Sequence, residues 1–123
     1  MASKFKQVTN ADAQTVLAKR ARVAASFVDR LAGLLFSAPL VPGEGLIIDP
    51  CTSIHMFGMK FAIDVVFVSS QGVVVGLMEN IAPGRMSRIY PQAKYCLELP
   101  VGTISDTATV VGHRIELGEA SES

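Results

Sequence analysis

The run CTSIHMFGMKFAIDVVFV, residues 51–68, decides the fold. Its second half, continued to Ser69, is rich in Val, Ile and Phe, side chains that suit a pleated surface, and predicts a strand from Phe61 to Ser69. Strand alternation puts Ile63, Val65 and Phe67 on one face and Asp64, Val66 and Val68 on the other. Both faces are apolar, so the strand is expected to be covered on both sides, with Asp64 at least partly buried. A lone buried carboxylate is very costly, and Asp64 must therefore be ion-paired, hydrogen-bonded or protonated. Its candidate partners are His55, Lys60 and Arg85. Arg85 is favoured, because a guanidinium can hold a carboxylate through two bonds.

Working outward, Ser70-Gln71-Gly72 reads as a hairpin turn that returns Val73 to Met78 antiparallel. Upstream, Gly45 to Asp49 is a short strand stopped by Pro50, and Thr52 to Phe57 is another, broken at Gly58. Thr15 to Ala25, Lys94 to Leu99 and His113 to Leu117 read as further strands, residues 79–92 as a crossing loop, and Ser105 to Val110 as a helical turn. Ser26 to Asp29 resembles a capping box and predicts a helix to about Phe36, with Phe27, Leu31, Leu34 and Leu35 as its apolar stripe. The expected fold is mainly β (β-rich α+β): a compact antiparallel barrel or sandwich of six to seven short strands with one short helix. At 123 residues the chain is one domain, expected over 15–117, between a flexible N-terminus (1–14) and an acidic flexible tail (118–123).

Half the residues are hydrophobic, and eleven basic residues balance eleven acidic ones. That is the balance of a soluble globular chain with no general pull toward nucleic acid. No run approaches transmembrane length, and MASKFKQVTNADAQ lacks the apolar centre of a secretory signal. No membrane partner is expected, and a cytoplasmic location is the default. Two cysteines, Cys51 and Cys96, are too few for a disulfide scaffold and are expected to be buried thiols.

Several short pieces occur in a recognisable order: Arg30 with Gly33-Leu34-Leu35, Gly45-Leu46, the block from Ser53 to Val68, Pro83-Gly84-Arg85, Leu97 to Gly102, and Gly112-His113-Arg114. Together they resemble the domain of unknown function 192, a family widespread in bacteria and archaea, over about residues 15–117. The resemblance implies a small mainly β domain and carries no catalytic roles with it. Leu35 stands where members often have Met, and Gly112-His113 where they often have Gly-Asp. Many members are exported, an address this sequence does not announce.

No complete catalytic motif is present. The leading expectation is a non-catalytic module whose polar pocket, formed by His55, Met59, Asp64 and Arg85, takes a small polar ligand or a peptide, with no cofactor. A second reading is a thiol- or metal-dependent enzyme using Cys51 and His55, either as a nucleophile and its base or as ligands joined by Met56 or Met59. Cys96 with His113 is another such pair. Glu98, on a face opposite Leu97 and Leu99, is expected at the surface near Arg88 or Arg114. A third reading makes the polar residues purely structural.

Overall fold

The computed structural model describes residues 4–24, 40–56 and 59–120. Within them the strands are β1 (Phe5–Asn10), β2 (Thr15–Ala24), β3 (Glu44–Ile48), β4 (Ile63–Ser69), β5 (Val74–Ile81), β6 (Ala93–Leu99) and β7 (Ile115–Glu119). A short helix, α1 (Thr103–Asp106), precedes the last strand. All seven strands share one sheet in the order β5-β4-β6-β3-β2-β1-β7. Every neighbouring pair is antiparallel except β2 with β3. The sheet curls into a half-barrel, so the mainly β expectation takes the form of one bent sheet.

The two outermost strands meet at one corner. Val73 bridges Arg114, Val74 N–H donates to His113 C=O (2.9 Å), and Ile115 N–H donates to Gly72 C=O (2.7 Å). Beyond that corner β5 and β7 share no ladder. The inner face gathers Val8, Leu17, Ile47, Val66, Val68, Val74, Leu97, Leu99 and Ile115, closed at one end by Ile104 of α1. The outer face carries Ile48, Cys51, Ile63, Val65, Phe67 and Cys96. All seven residues of β4 are buried. Its two faces divide as alternation requires, and each forms part of a separate apolar cluster.

A ribbon of irregular backbone covers the outer face. Residues 51–56 run against 84–90 through Tyr90 N–H to Thr52 C=O (2.7 Å), Ser87 N–H to Ile54 C=O (2.8 Å) and Met56 N–H to Arg85 C=O (2.7 Å). Ile54 and Met56 face the sheet and pack with Met59 and Phe67. The strand expected from Thr52 to Phe57 is therefore not a sheet member; its described part makes one isolated bridge, His55 to Met86. The Tyr90 ring stacks on Phe67 with centroids 4.2 Å apart and lies flat over Gly76, where an added Cβ would fall inside the ring's contact distance. Gly76 is the strand position that leaves room for it.

Two boundaries differ from expectation. The first residues are not all loose, because Phe5–Asn10 form β1 between β2 and β7. Only Val8 supplies an apolar inner contact there, so the strand is held by its neighbours' ladders more than by its own pattern. At the other end β7 runs into the expected tail as far as Glu119, whose carboxylate meets Lys6 at 2.7 Å. The helix expected from Ser26 to Phe36 lies outside the described residues.

Candidate functional site

Asp64 sits on the inner face of β4 and is 1% exposed. Its Oδ1 accepts the Asn80 N–H (2.9 Å), and its Oδ2 accepts the N–H groups of Gly102 (3.1 Å) and Ile104 (3.0 Å). Each donor has a local cause. Three steps of β5, from Met78 to Ile81, span what two steps of β4 cover, and this bulge turns Asn80 to φ 53°. Gly102, at φ 99°, opens α1 without a side-chain cap of its own, and Asp64 supplies the missing acceptor from a distant strand. The ion pair with Arg85 favoured from sequence is thus replaced by backbone amides. Arg85 and His55 lie on the outer ribbon, whereas Asp64 points into the half-barrel.

His55 and Arg85 are both exposed. Arg85 is fixed through its backbone, donating N–H to Ala82 C=O (3.1 Å) and accepting from Met56 N–H. Met59 is 6% exposed and belongs to the outer apolar cluster, so it is core. The four residues therefore do not line one pocket. They surround the loop after β5 in different roles: Asp64 braces Asn80 from the inner side, Met59 packs beneath the ribbon, His55 is bridged to Met86, and Arg85 is at the surface. An open depression of about 400 Å³ lies there, lined from Met78 to Ala82 and by Arg85 and Met86. Met86 is 63% exposed.

Both cysteines are buried in the outer apolar cluster. Cys51 is buried, donates its S–H to Ser53 C=O (3.2 Å) and borders a depression of about 300 Å³ with Pro50, Thr52 and Ser53. Cys96 is on the outer face of β6, while the His113 ring accepts from Asn10 Nδ2 at the end of the half-barrel. Among the described residues no three His, Cys, Asp or Glu side chains converge as a metal would need. Asp64 and Glu98 occupy opposite faces, so they form no acid–base couple. Glu98 is 3% exposed, contrary to its expected surface position, because the outer face of β6 is covered as fully as the inner one.

A polar network at the end of the half-barrel had no signal in the sequence. The fully buried Asn10 donates its Nδ2 to Thr109 Oγ1 (3.1 Å) and His113 Nδ1 (3.0 Å), and its Oδ1 accepts the N–H groups of Asp12 and Ala13. Thr107 and Thr109 hydroxyls lie 2.7 Å apart and Thr107 reaches back to Thr103 C=O (2.7 Å). Its members satisfy one another, which is the mark of a lock on the α1 loop.

No helix among the described residues is long and apolar enough to cross a membrane. Among solved structures, a Sinorhizobium meliloti 1021 protein proposed to be a transcription regulator shares the fold, with TM-score 0.77 at 23% identity over 95% of this chain and 96% of that one. A protein of unknown function from Novosphingobium aromaticivorans does so with TM-score 0.76 at 21% identity, over 91% and 83%. In sequence, the UPF0127 protein of Pyrococcus furiosus is 36% identical over 101 residues, spanning 77% of this chain and 84% of that relative. A UPF0127 protein of Thermococcus sibiricus is 35% identical over 102 residues; the match spans 79% of this chain and 65% of that longer relative. The model of the DUF192 family, described as "Uncharacterized ACR", matches residues 7–117, and the chain belongs to that family.

Proposed function

We propose that the chain is a non-catalytic binding module, and that the depression beside Arg85 takes a small polar ligand or peptide carrying a carboxylate. One observation supports this above others. An exposed guanidinium and a largely exposed thioether adjoin in sequence on the rim of the depression, on backbone held by Met56 and by the bulge at Asn80. A guanidinium matches a carboxylate through two bonds, and Met adapts its shape to an apolar neighbour. His55, bridged to Met86, adds a further polar group, and Glu79 in the lining would meet an amino group. Asp64 acts indirectly in this reading, by holding the Asn80 turn. The reading includes a cytoplasmic location, where the two buried thiols would stay reduced.

A thiol enzyme is less well supported, since Cys51 is 4% exposed and an attacking thiolate needs access. A nucleic-acid-binding role is less well supported as well, since phosphate contacts call for a basic surface and this chain is charge-balanced. The test is a nuclear magnetic resonance titration of labelled protein with acetyl-alanyl-leucine and with its C-terminal amide. The free acid should shift the amides of residues 79–86 saturably, the amide form should not, and Arg85→Met should abolish the response while leaving the melting temperature unchanged. Equal responses to both forms, or none to either, would refute the reading.

A further inference from the structure

We infer that a pocket at the α1 end of the half-barrel takes the side chain of a lysine presented by a partner polypeptide. The pocket, of about 190 Å³, lies between Val16 and Leu17 of β2, the Pro42-Gly43 turn before β3, and the segment from Pro100 to Thr107 that carries α1. It shares no residue with the depression beside Arg85. Each wall is tied down. Asp64 holds Gly102 and Ile104, and Thr15 Oγ1 donates to Thr107 C=O (2.8 Å). Glu44 N–H to Val41 C=O (3.0 Å) and Val41 N–H to Glu44 Oε1 (3.2 Å) close the turn. A site held in this way is formed before its ligand arrives.

The lining divides into an apolar wall and one charge. Val16, Leu17, Pro42, Pro100 and Val101 make the wall, and Val16 and Val101 stand 44% and 50% exposed at its margin. The hydroxyls of Thr103 and Thr107 are taken by Pro100 C=O and Thr103 C=O, both at 2.7 Å. Asp106 is different. It is exposed, its Oδ2 lies beside Gly102, and its carboxylate meets no cation and accepts no hydrogen bond among the described residues. Lys19 passes over Gly43, its Cδ 4.0 Å from where a Cβ would stand, without pairing with Asp106.

An apolar wall that ends on a free carboxylate is the complement of a lysine. The four-carbon stem buries on apolar surface while the ammonium stays near water. With the stem along Val16, Pro42 and Val101, the ammonium meets Asp106 at the rim and keeps part of its hydration, so the pair escapes the heavy cost of a buried charge. Size agrees. The pocket is smaller than the roughly 300–1,000 Å³ that takes a whole small molecule, and it suits a single side chain. The exposed Val16 and Val101 then offer apolar area to the polypeptide around that lysine. Asp106 repels a carboxylate, the reverse of the preference proposed beside Arg85.

The probe is Nα-acetyl-lysine N-methylamide, titrated into the labelled full chain. Its control is the norleucine analogue, which keeps the stem and lacks the ammonium. The lysine compound should shift the amides of residues 16–17, 43 and 101–107 saturably and bind at least about threefold more tightly than the control, the range an exposed ion pair supplies. Asp106→Asn keeps the side chain's size and should bring the lysine compound down to the affinity of norleucine, with the melting temperature unchanged. On the unaltered chain, the advantage of lysine over norleucine should shrink as salt is raised. Equal affinity for the two compounds, no binding of either, an advantage that survives in folded Asp106→Asn or is indifferent to salt, or shifts confined to other residues would each overturn the inference. The response of residues 79–86 to acetyl-alanyl-leucine involves none of these groups, so the two proposals fail separately.

Discussion

Replacing Asp64 tests the most unusual buried group in the molecule. Asp64→Ala removes the acceptor of three backbone amides, those of Asn80, Gly102 and Ile104, at a position 1% exposed. Each stranded donor costs about 1–3 kcal/mol. Partial hydration of the gap and relief from burying a charge offset some of that sum, leaving a loss of about 3–5 kcal/mol. That is a large share of the roughly 5–15 kcal/mol that holds a small domain together. Asp64→Asn discriminates. A carboxamide oxygen in the Oδ2 position keeps Gly102 and Ile104, while its amino group faces the Asn80 N–H, so one bond is lost and two donors oppose each other. The expected cost is about 1–3 kcal/mol, well below that of alanine. Urea denaturation measures both, and hydrogen exchange locates them: Asn80 alone should exchange faster in Asp64→Asn, all three amides in Asp64→Ala. If asparagine proves as damaging as alanine, or alanine costs under about 1 kcal/mol, the bonding described here does not hold the fold.

Two further outcomes follow from packing and burial. Gly76→Ala should destabilise by about 1–3 kcal/mol because its methyl enters the Tyr90 ring, and most of that loss should vanish in a Tyr90→Ala background; an undiminished loss there would place the strain elsewhere. Burial, reinforced by the Asp49 carboxylate, raises the Tyr95 phenol above its ordinary value near 10, so the folded state holds this proton more tightly than the unfolded one. Its contribution is full below that ordinary value and is lost as pH climbs from there toward the folded value, and Tyr95→Phe should flatten the alkaline fall in stability measured by denaturant titration.

The parts of the fold legible in sequence are those where a side chain reports its own surroundings. Val66 and Val68 against Val65 and Phe67 announce a strand buried on both faces, and Asp64 among them announces a polar group in need of partners. The identity of those partners was hidden for a physical reason: backbone amides belong to every residue type, so nothing at Asn80, Gly102 or Ile104 marks them as donors. Glu98 misled because the layer over the outer face includes irregular backbone at residues 84–90, which leaves no periodic trace in the sequence. β1 misled for a related reason. Its Lys, Gln, Thr and Asn residues suit open solvent, and one of its two ladder partners, β7, lies more than a hundred residues downstream. Of the candidate residues, the exposure of His55 and Arg85 and the burial of Met59 were set by which side of the ribbon each occupies, and two short interrupted segments do not encode that choice.

The pairing of β1 with β7 also bears on how the chain is made. Residues 6–10 find their second ladder partner only at 115–119, so during synthesis β1 is paired with β2 alone, with one edge open, until residue 119 has left the ribosome. Sheets closed by such distant partners form slowly, because the loop must be gathered before the contacts repay it. Until then the nascent protein exposes a different edge, that of β1, from the one the mature sheet leaves open.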